Sequence, residues 1–227
     1  MQKRNFDEAR KLQNELEQEL DEVEYIVGSF EAAFELSLLG TINSICKSII
    51  ILFENYRTYD LNILLRSLFE HFIELKLLRD GPERHKDHAF NFFKGIRTNL
   101  NEGKNGNPFA ASIGKMENLS DHIADTQSRL DQLKESGAKV STKVADWQKA
   151  GYGEVYEIVY RNLSQYAHPS YSGGISRNIA ITGDTEAFVI SSNSEMPEES
   201  VFTLVDGLCA VLEESLDIIG QMKDPSD

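Results

Sequence analysis

The chain has 227 residues, of which 41% are apolar and 26% charged, so it is long enough to bury a sizeable core in one domain. Its 37 acidic and 23 basic side chains give a formal net charge of −14, which argues against a protein that binds nucleic acid through its overall field. No uninterrupted apolar run reaches the roughly 18 residues that cross a bilayer, and no signal peptide or internal repeat is visible. We therefore expect a single soluble, cytoplasmic domain over residues 1–227, with no membrane association.

Apolar residues recur at helical spacing along most of the chain. The pattern predicts a peripheral amphipathic helix within residues 1–27, followed by a helical bundle over residues 29–168. Inside the bundle we expect helices at 29–56, 60–79, 82–100 and 111–135, with a loop at 101–108, and a helix at 152–168.

The last quarter of the chain changes pattern. After Pro169 and a pair of glycines, two short β-like runs joined through Gly183-Asp184 predict a hairpin at 178–192. A final helix is predicted at 198–222. The expected fold class is all-α, a multi-helix bundle with a small β-hairpin before the last helix.

Both cysteines, Cys46 and Cys209, lie inside apolar helical patterns. In a chain without a secretion signal this position favours two buried thiols in a reduced compartment over a disulfide.

The predicted helix at 152–168 has two different faces. At about 100° per residue, Arg161 and His168 point within roughly 20° of one another. They lie almost opposite an aliphatic and aromatic stripe made by Tyr152, Val155, Tyr156, Val159, Leu163 and Tyr166. This arrangement is either an ordinary solvated face, with a histidine near a helix end, or a functional pair.

An upstream helix carries a second polar pair. Arg66 and Glu70 are four residues apart on a helix that is apolar on nearly every side. Because buried charges need partners, the pair is either an internal ion pair that fixes helix register or a group that orients His168.

The segment Tyr160-Arg161-Asn162-Leu163-Ser164-Gln165-Tyr166-Ala167-His168 resembles the signature of the HEPN superfamily. That signature is an arginine, usually followed by a polar residue, with a histidine after four to six intervening residues. Here Asn162 follows Arg161, and six residues separate Arg161 from His168.

The segment is also similar to an uncharacterised bacterial branch marked by Tyr-x-x-x-Ser-x-x-x-His and an upstream Arg-x-x-x-Glu. Tyr160, Ser164 and His168 match the first pattern, and Arg66 with Glu70 match the second. The resemblance covers about residues 30 to 220.

The resemblance implies a metal-independent RNA endonuclease that leaves a cyclic phosphate and a 5′-hydroxyl. His168 would serve as the acid or base, and Arg161 would bind phosphate oxygens. Asn162 and Ser164 would orient either the histidine or the phosphate. Arg66, Glu70, Tyr160 and Ser164 would support the site. The resemblance further implies a homodimer, a role as toxin or anti-phage defence effector, and an antitoxin or regulatory protein partner.

No cofactor or metal is expected, because Glu-x-x-His pairs and cysteine pairs at zinc spacing do not occur in the sequence. Between residues 84 and 104 there are five basic and two acidic residues. Arg84, Lys94 and Arg97 are candidate RNA contacts, unless this stretch is simply a solvated helix face. The alternative function is a non-catalytic helical dimer that binds a protein or small ligand through the same polar groove. The RNA substrate cannot be read from the sequence.

Overall fold

The computed structural model describes residues 5–23, 30–55, 60–81, 83–167, 179–182, 187–190 and 198–223. Nearly all of these described residues are helical, which confirms the prediction of a helical bundle. The helices and strands in chain order are α1 (Phe6–Asp21), α2 (Phe30–Glu54), α3 (Leu61–Asp80), α4 (Glu83–Lys104), a 3₁₀ turn (Pro108–Ala110), α5 (Ala111–Gly114), α6 (Leu119–Glu135), α7 (Lys143–Lys149), α8 (Gly153–Val155), a π-helical segment (Tyr156–Tyr160), α9 (Arg161–Ala167), β1 (Ile179–Thr182), β2 (Ala187–Ile190) and α10 (Glu198–Lys223).

The chain divides into two compact units. The main unit comprises residues 1–76 and 147–227, and the inserted unit comprises residues 77–146. The sequence interpretation of one domain over 1–227 did not distinguish them, because the boundary falls at no glycine- or proline-rich linker.

Helix α1 contributes buried side chains to the core of the main unit. Ala9 and Leu16 are completely buried, and α1 contacts both α2 and α10. Gln13 also donates from Nε2 to Asn43 Oδ1 of α2 at 3.0 Å. The helix predicted within residues 1–27 thus packs one narrow apolar stripe against two other helices, while its other side chains are at least partly exposed.

Helix α3 is the most thoroughly buried element of the chain, as its all-round apolar pattern predicted. Its apolar side chains from Leu61 to Leu78 are nearly all buried, and several have no exposed surface at all. The two thiols, Cys46 and Cys209, are also buried and unbonded, which confirms the prediction. Burial, together with the neighbouring Cys209, raises the pKa of Cys46 well above its usual range.

One helical stretch among the described residues, Glu31–Glu54, has the length and hydropathy that would allow it to cross a membrane. The sequence holds no uninterrupted apolar run of that length, but scattered polar residues such as Asn43 leave the mean hydropathy of this stretch high. Core helices meet the same criterion, and Leu39, Ile42 and Ile49 of this helix are completely buried in the main unit. The stretch alone therefore does not indicate location.

The inserted unit is built from α4, the short α5 and α6. Helix α4 continues to Lys104, so the predicted loop at 101–108 is shorter than expected. The reason is Gly103, where an added Cβ would lie 2.7 Å from Ile113 Cγ2 and 2.9 Å from the Gly114 nitrogen. This glycine allows close packing of α5 against α4, whereas Gly106, at φ +77°, makes the turn. The predicted helix at 111–135 is divided into α5 and α6, and α7 was not predicted.

The two β-strands pair antiparallel, with Ile179 opposite Ile190 and Thr182 opposite Ala187. They lie within the stretch 178–192 for which the sequence predicted a hairpin. Residues 183–186, which would form its turn, lie outside the described residues.

Candidate functional site

The segment with the superfamily-like signature begins with a π-helical turn. The backbone N–H of Arg161 donates to the carbonyl of Tyr156, five residues earlier, instead of four. The extra residue changes the helical register, so the uniform 100° spacing used for the sequence prediction does not hold across Tyr156–Tyr160. Tyr160, which the aliphatic stripe did not include, is buried with 5% of its surface exposed. π-Helical turns of this kind are frequent at functional sites.

Tyr160 joins Arg66 and Glu70 in a closed polar network. Arg66 Nη2 donates to the Tyr160 hydroxyl at 3.1 Å, and that hydroxyl donates to Glu70 Oε1 at 2.6 Å. Arg66 Nε donates to the same Glu70 oxygen at 3.1 Å. The Arg66 guanidinium carbon also lies 5.0 Å from the centre of the Tyr160 ring. The structure thus brings together three residues that the sequence analysis had placed in one supporting group.

The network neutralises a charge that is mostly withdrawn from water. The Arg66 side chain is 17% exposed and that of Glu70 is 32% exposed. Burial by itself lowers the pKa of Arg66, but the hydrogen bonds and charges of Tyr160 and Glu70 outweigh burial and raise that pKa overall. The arginine is therefore held permanently charged beside its carboxylate.

An aromatic cluster fixes the position of Tyr160. Its ring stacks on Tyr156 with centroids 4.9 Å apart and an interplanar angle of 17°. Trp147 lies 5.2 Å from the Tyr160 ring and 5.6 Å from the Tyr156 ring. The ring of Phe69 in α3 lies 5.8 Å from the Trp147 ring. Four aromatic rings therefore hold the hydroxyl of Tyr160 against Arg66 and Glu70.

Trp147 is the residue of this region that sequence reasoning missed. It is the single tryptophan of the chain and only 2% exposed. Its helix, α7, spans seven residues, which is too short to give a clear periodic signal. The presence of a lone tryptophan among polar residues was the one available indication of a buried contact.

Arg161 and Asn162 lie on the outside of α9. Arg161 Nε pairs with Glu157 Oε2 at 3.2 Å, and both side chains are more than half exposed. Asn162 is exposed as well. An exposed ion pair of this kind is worth only about 0–1 kcal/mol, so Arg161 can exchange Glu157 for a phosphate at little cost.

Ser164 is turned toward its own helix. Its hydroxyl donates to the carbonyl oxygen of Tyr160 at 2.8 Å. This bond adds a contact to the backbone at the end of the π-helical turn, where the usual hydrogen-bond ladder is interrupted. The described position of Ser164 therefore supports Tyr160. His168 lies outside the described residues, so its predicted place beside Arg161 stays a prediction.

The three candidate RNA contacts of α4 have different environments. Arg84 is 8% exposed and makes two bonds to Asp146, at 3.0 and 3.2 Å, and one to Ser141 at 2.8 Å. Arg97 donates to Gln127 Oε1 at 2.5 Å, and Lys94 is exposed. The charge of Arg84 is thus paired inside the inserted unit, and RNA contact by Arg84, Lys94 and Arg97 stays a prediction.

Among the described residues, no group of three or more His, Cys, Asp and Glu side chains is arranged to hold a metal ion. The polar network of Arg66, Glu70 and Tyr160 instead offers hydrogen-bond donors and one carboxylate.

The comparisons with known proteins give one result. No curated protein and no solved structure matches the chain. A family model described as a family of unknown function, DUF5677, matches residues 33–186. The match covers more than half of the chain and includes the network of Arg66, Glu70 and Tyr160 as well as the segment from Arg161 to His168. The chain belongs to the DUF5677 family.

Proposed function

We propose that the protein is a metal-independent RNA endonuclease with a HEPN-like bundle, in which α9 carries Arg161 and Asn162 and His168 follows it in the chain. The observation that supports this proposal is that neighbouring residues of one segment differ in burial. Tyr160 is buried and bonded to Arg66 and Glu70, whereas the next two residues, Arg161 and Asn162, are exposed. The signature arginine is thus presented to solvent from a helix whose base is rigidly held.

The chemistry assigned to these residues is transesterification. The 2′-hydroxyl of the substrate loses its proton and attacks the adjacent phosphorus, and the bond to the 5′-oxygen of the next nucleotide breaks. The departing 5′-oxygen takes up a proton, so the products are a 2′,3′-cyclic phosphate and a 5′-hydroxyl. His168 transfers protons, since imidazole is the side chain that titrates near neutral pH. Arg161 stabilises the negative charge that develops on the phosphate oxygens, with Asn162 orienting the phosphate.

The proposed enzyme is a homodimer. Arg161 and Asn162 project from a single helix, which by itself encloses no phosphate. A second copy facing the first would supply another arginine and enclose the substrate between two α9 helices. We further propose that such a dimer acts in the cytoplasm as a toxin or defence effector controlled by a protein partner.

The test is a cleavage assay with total RNA in excess chelator. We expect the wild-type protein to cleave and to leave 5′-hydroxyl ends, which polynucleotide kinase labels without prior phosphatase treatment. His168→Ala and Arg161→Ala should each lower the rate by at least about a hundredfold, the usual contribution of one acid-base group. Arg129→Ala is the matched control, because it removes another exposed arginine of an i,i+4 ion pair.

Circular dichroism should show the same helical content in all four proteins. Equal cleavage by wild type and His168→Ala would identify a contaminating nuclease and overturn the proposal. Absence of cleavage by the wild type would also overturn it.

The second candidate is a non-catalytic helical dimer that binds a protein or small ligand through the same polar groove. The acidity of the main unit favours it: outside residues 77–146 the chain has 27 acidic and 12 basic side chains. Such a surface repels RNA at low ionic strength. Light scattering that shows a dimer, together with no turnover of any RNA, would support this candidate.

A further inference from the structure

The main unit contains a cavity of about 220 Å³ that is separate from the polar network and open on one side. Phe69 and Phe72 of α3 form one wall, and Gly207 and Ala210 of α10 form the opposite one. Tyr152 and Glu214 contribute the polar atoms among its described lining residues, along with Thr203. The inference drawn from this cavity does not depend on the proposed nuclease activity.

Gly207 controls how much space the cavity has. A Cβ added at this position would lie 3.1 Å from Cζ of Phe69, so any larger side chain would enter the cavity. Glycine is unfavourable in the interior of a helix such as α10. Gly220, in the same helix, has no atom within 4 Å of an added Cβ. A side chain added at Gly207 would therefore meet the cavity lining, whereas one added at Gly220 would not, so the two positions form a matched pair.

The cavity presents almost only apolar atoms, and the charged residue among its described lining residues is Glu214, whose side chain is 36% exposed. Its carboxylate accepts a short hydrogen bond from the Tyr152 hydroxyl and a bond of 2.6 Å from Lys76 Nζ. Lys76 also lies 5.4 Å from the Tyr152 ring and 5.8 Å from the Phe72 ring. Of the roughly four acceptor positions of a carboxylate, these contacts use two.

Tyr152 remains a donor under physiological conditions. Burial, and secondarily the carboxylate of Glu214, raises the pKa of Tyr152 well above its usual range. The carboxylate is thus already balanced by one ammonium group and one neutral hydroxyl.

This balance restricts the charge of a ligand. A second cation beside Glu214 would be repelled by Lys76, and an anion would be repelled by Glu214 itself. A neutral N–H or O–H group avoids both penalties and can use a remaining acceptor position of the carboxylate. The size of the cavity is also informative, because an apolar cavity of about 150 Å³ is sufficient for benzene.

We propose that this cavity binds a neutral, largely apolar small molecule of one or two rings, which donates one hydrogen bond to Glu214. The rings would lie between the two phenylalanines and α10, and the donor would point toward the carboxylate. An edge-to-face pair already exists here between Phe72 and Tyr152, with centroids 5.7 Å apart, so an aromatic ligand would extend an existing cluster.

The test uses indole and 1-methylindole as probes, since they have the same ring system and only indole has an N–H donor. Binding to the full chain would be measured by calorimetry and by ligand-observed NMR. We expect saturable binding of indole, with 1-methylindole about fivefold weaker, which corresponds to one lost hydrogen bond. Glu214→Gln keeps the volume and an acceptor oxygen, and it should weaken indole more than 1-methylindole.

Gly207→Leu fills the cavity and should weaken indole at least tenfold, whereas Gly220→Leu should leave its affinity unchanged. If circular dichroism shows that Gly207→Leu does not fold, Ala210→Leu is the second variant, because Ala210 also lines the cavity and is an exposed residue of α10. No saturable binding of indole by the wild type up to millimolar concentration would overturn the proposal. Equal weakening by Gly207→Leu and Gly220→Leu would do so too, and equal affinity for the two probes would overturn the assigned hydrogen bond.

Discussion

The main unit and the inserted unit differ in charge and in the kind of groups they bury. Residues 77–146 carry 11 basic and 10 acidic side chains, whereas the rest of the chain carries 12 and 27. The net charge of −14 is thus a property of the main unit alone. The objection that an acidic protein repels RNA therefore applies to one region and not to the other.

The two units also use charge differently in their interiors. The main unit closes an arginine, a carboxylate and a tyrosine hydroxyl around an aromatic cluster, with Trp147 at its centre. The inserted unit has few buried apolar side chains, and it buries Arg84 against Asp146. It also leaves Phe92 and Phe109 exposed. Buried aromatic residues stabilise the main unit, and a buried ion pair stabilises the inserted unit.

The largest effect is expected from removing the aromatic centre of the main unit. Trp147→Ala should lower the free energy of unfolding by about 3–5 kcal/mol, because it leaves a cavity among Phe69, Tyr156 and Tyr160. Urea titration followed by circular dichroism measures this change. Phe109→Ala in the inserted unit is the control, with an expected change below about 0.5 kcal/mol, since Phe109 is 99% exposed. Similar losses of unfolding free energy in both variants would show that Trp147 is not more important for stability than an exposed aromatic residue.

Removing the buried ion pair of the inserted unit should have an effect of nearly the same size. Arg84→Met leaves the Asp146 carboxylate without its main partner and should cost about 3–5 kcal/mol of stability. Lys86→Met breaks the exposed pair with Glu83 and should cost less than about 1 kcal/mol. Hydrogen exchange of amides in α4 and α7 would report the local effect. Indistinguishable exchange rates in the two variants would show that Arg84 is not structurally important.

A smaller effect is expected from the hydroxyl of Tyr160. Tyr160→Phe keeps the stacked rings but removes the hydroxyl that is bonded to both Arg66 and Glu70, and it should cost about 1–3 kcal/mol. Tyr156→Phe is the matched control, because the structure gives no hydrogen bond to that hydroxyl among the described residues. If the network positions α9, Tyr160→Phe should also reduce RNA cleavage more than Tyr156→Phe does. Equal changes in stability would argue against the network.

The smallest effect on stability, below about 0.5 kcal/mol, is expected at exposed lysines. Lysines of the two units should differ in RNA binding instead. This binding would be measured in the His168→Ala background by fluorescence anisotropy at several salt concentrations. Lys94→Ala, in the inserted unit, should reduce the slope of log K against log salt by about 1. Lys149→Ala, in the acidic main unit, should not change the slope. The opposite result would show that Lys149, and not Lys94, contributes to RNA binding.

Much of the fold follows from helical periodicity. The bounds of α3 and α10 were predicted to within a few residues, since both have long apolar patterns and clear stop signals such as Gly81. The division of α5 from α6 was not predicted, because Asn118 adopts a left-handed conformation at φ 55° that the sequence pattern does not reveal. The end of α4 was misjudged because Gly103 serves close packing.

The candidate site was predicted in part. The i,i+4 spacing of Arg66 and Glu70 indicated their ion pair. The structure shows a second pair with the same spacing, between Glu157 and Arg161. The role of Tyr160 as the link between α3 and the motif segment depends on the π-helical turn, which changes register by one residue. No periodic pattern contains that information.

The sequence by itself determined that this protein is helical, that α3 is central, and that its thiols are buried, because these properties follow from local periodicity and composition. Only the tertiary structure decided which charges are used internally and which remain exposed. Arg84 and Lys94 look alike in the sequence, yet one is buried against Asp146 and the other faces solvent. The reason is that Asp146 lies 62 residues from Arg84 in the chain, and packing sets which residues become partners over such a separation.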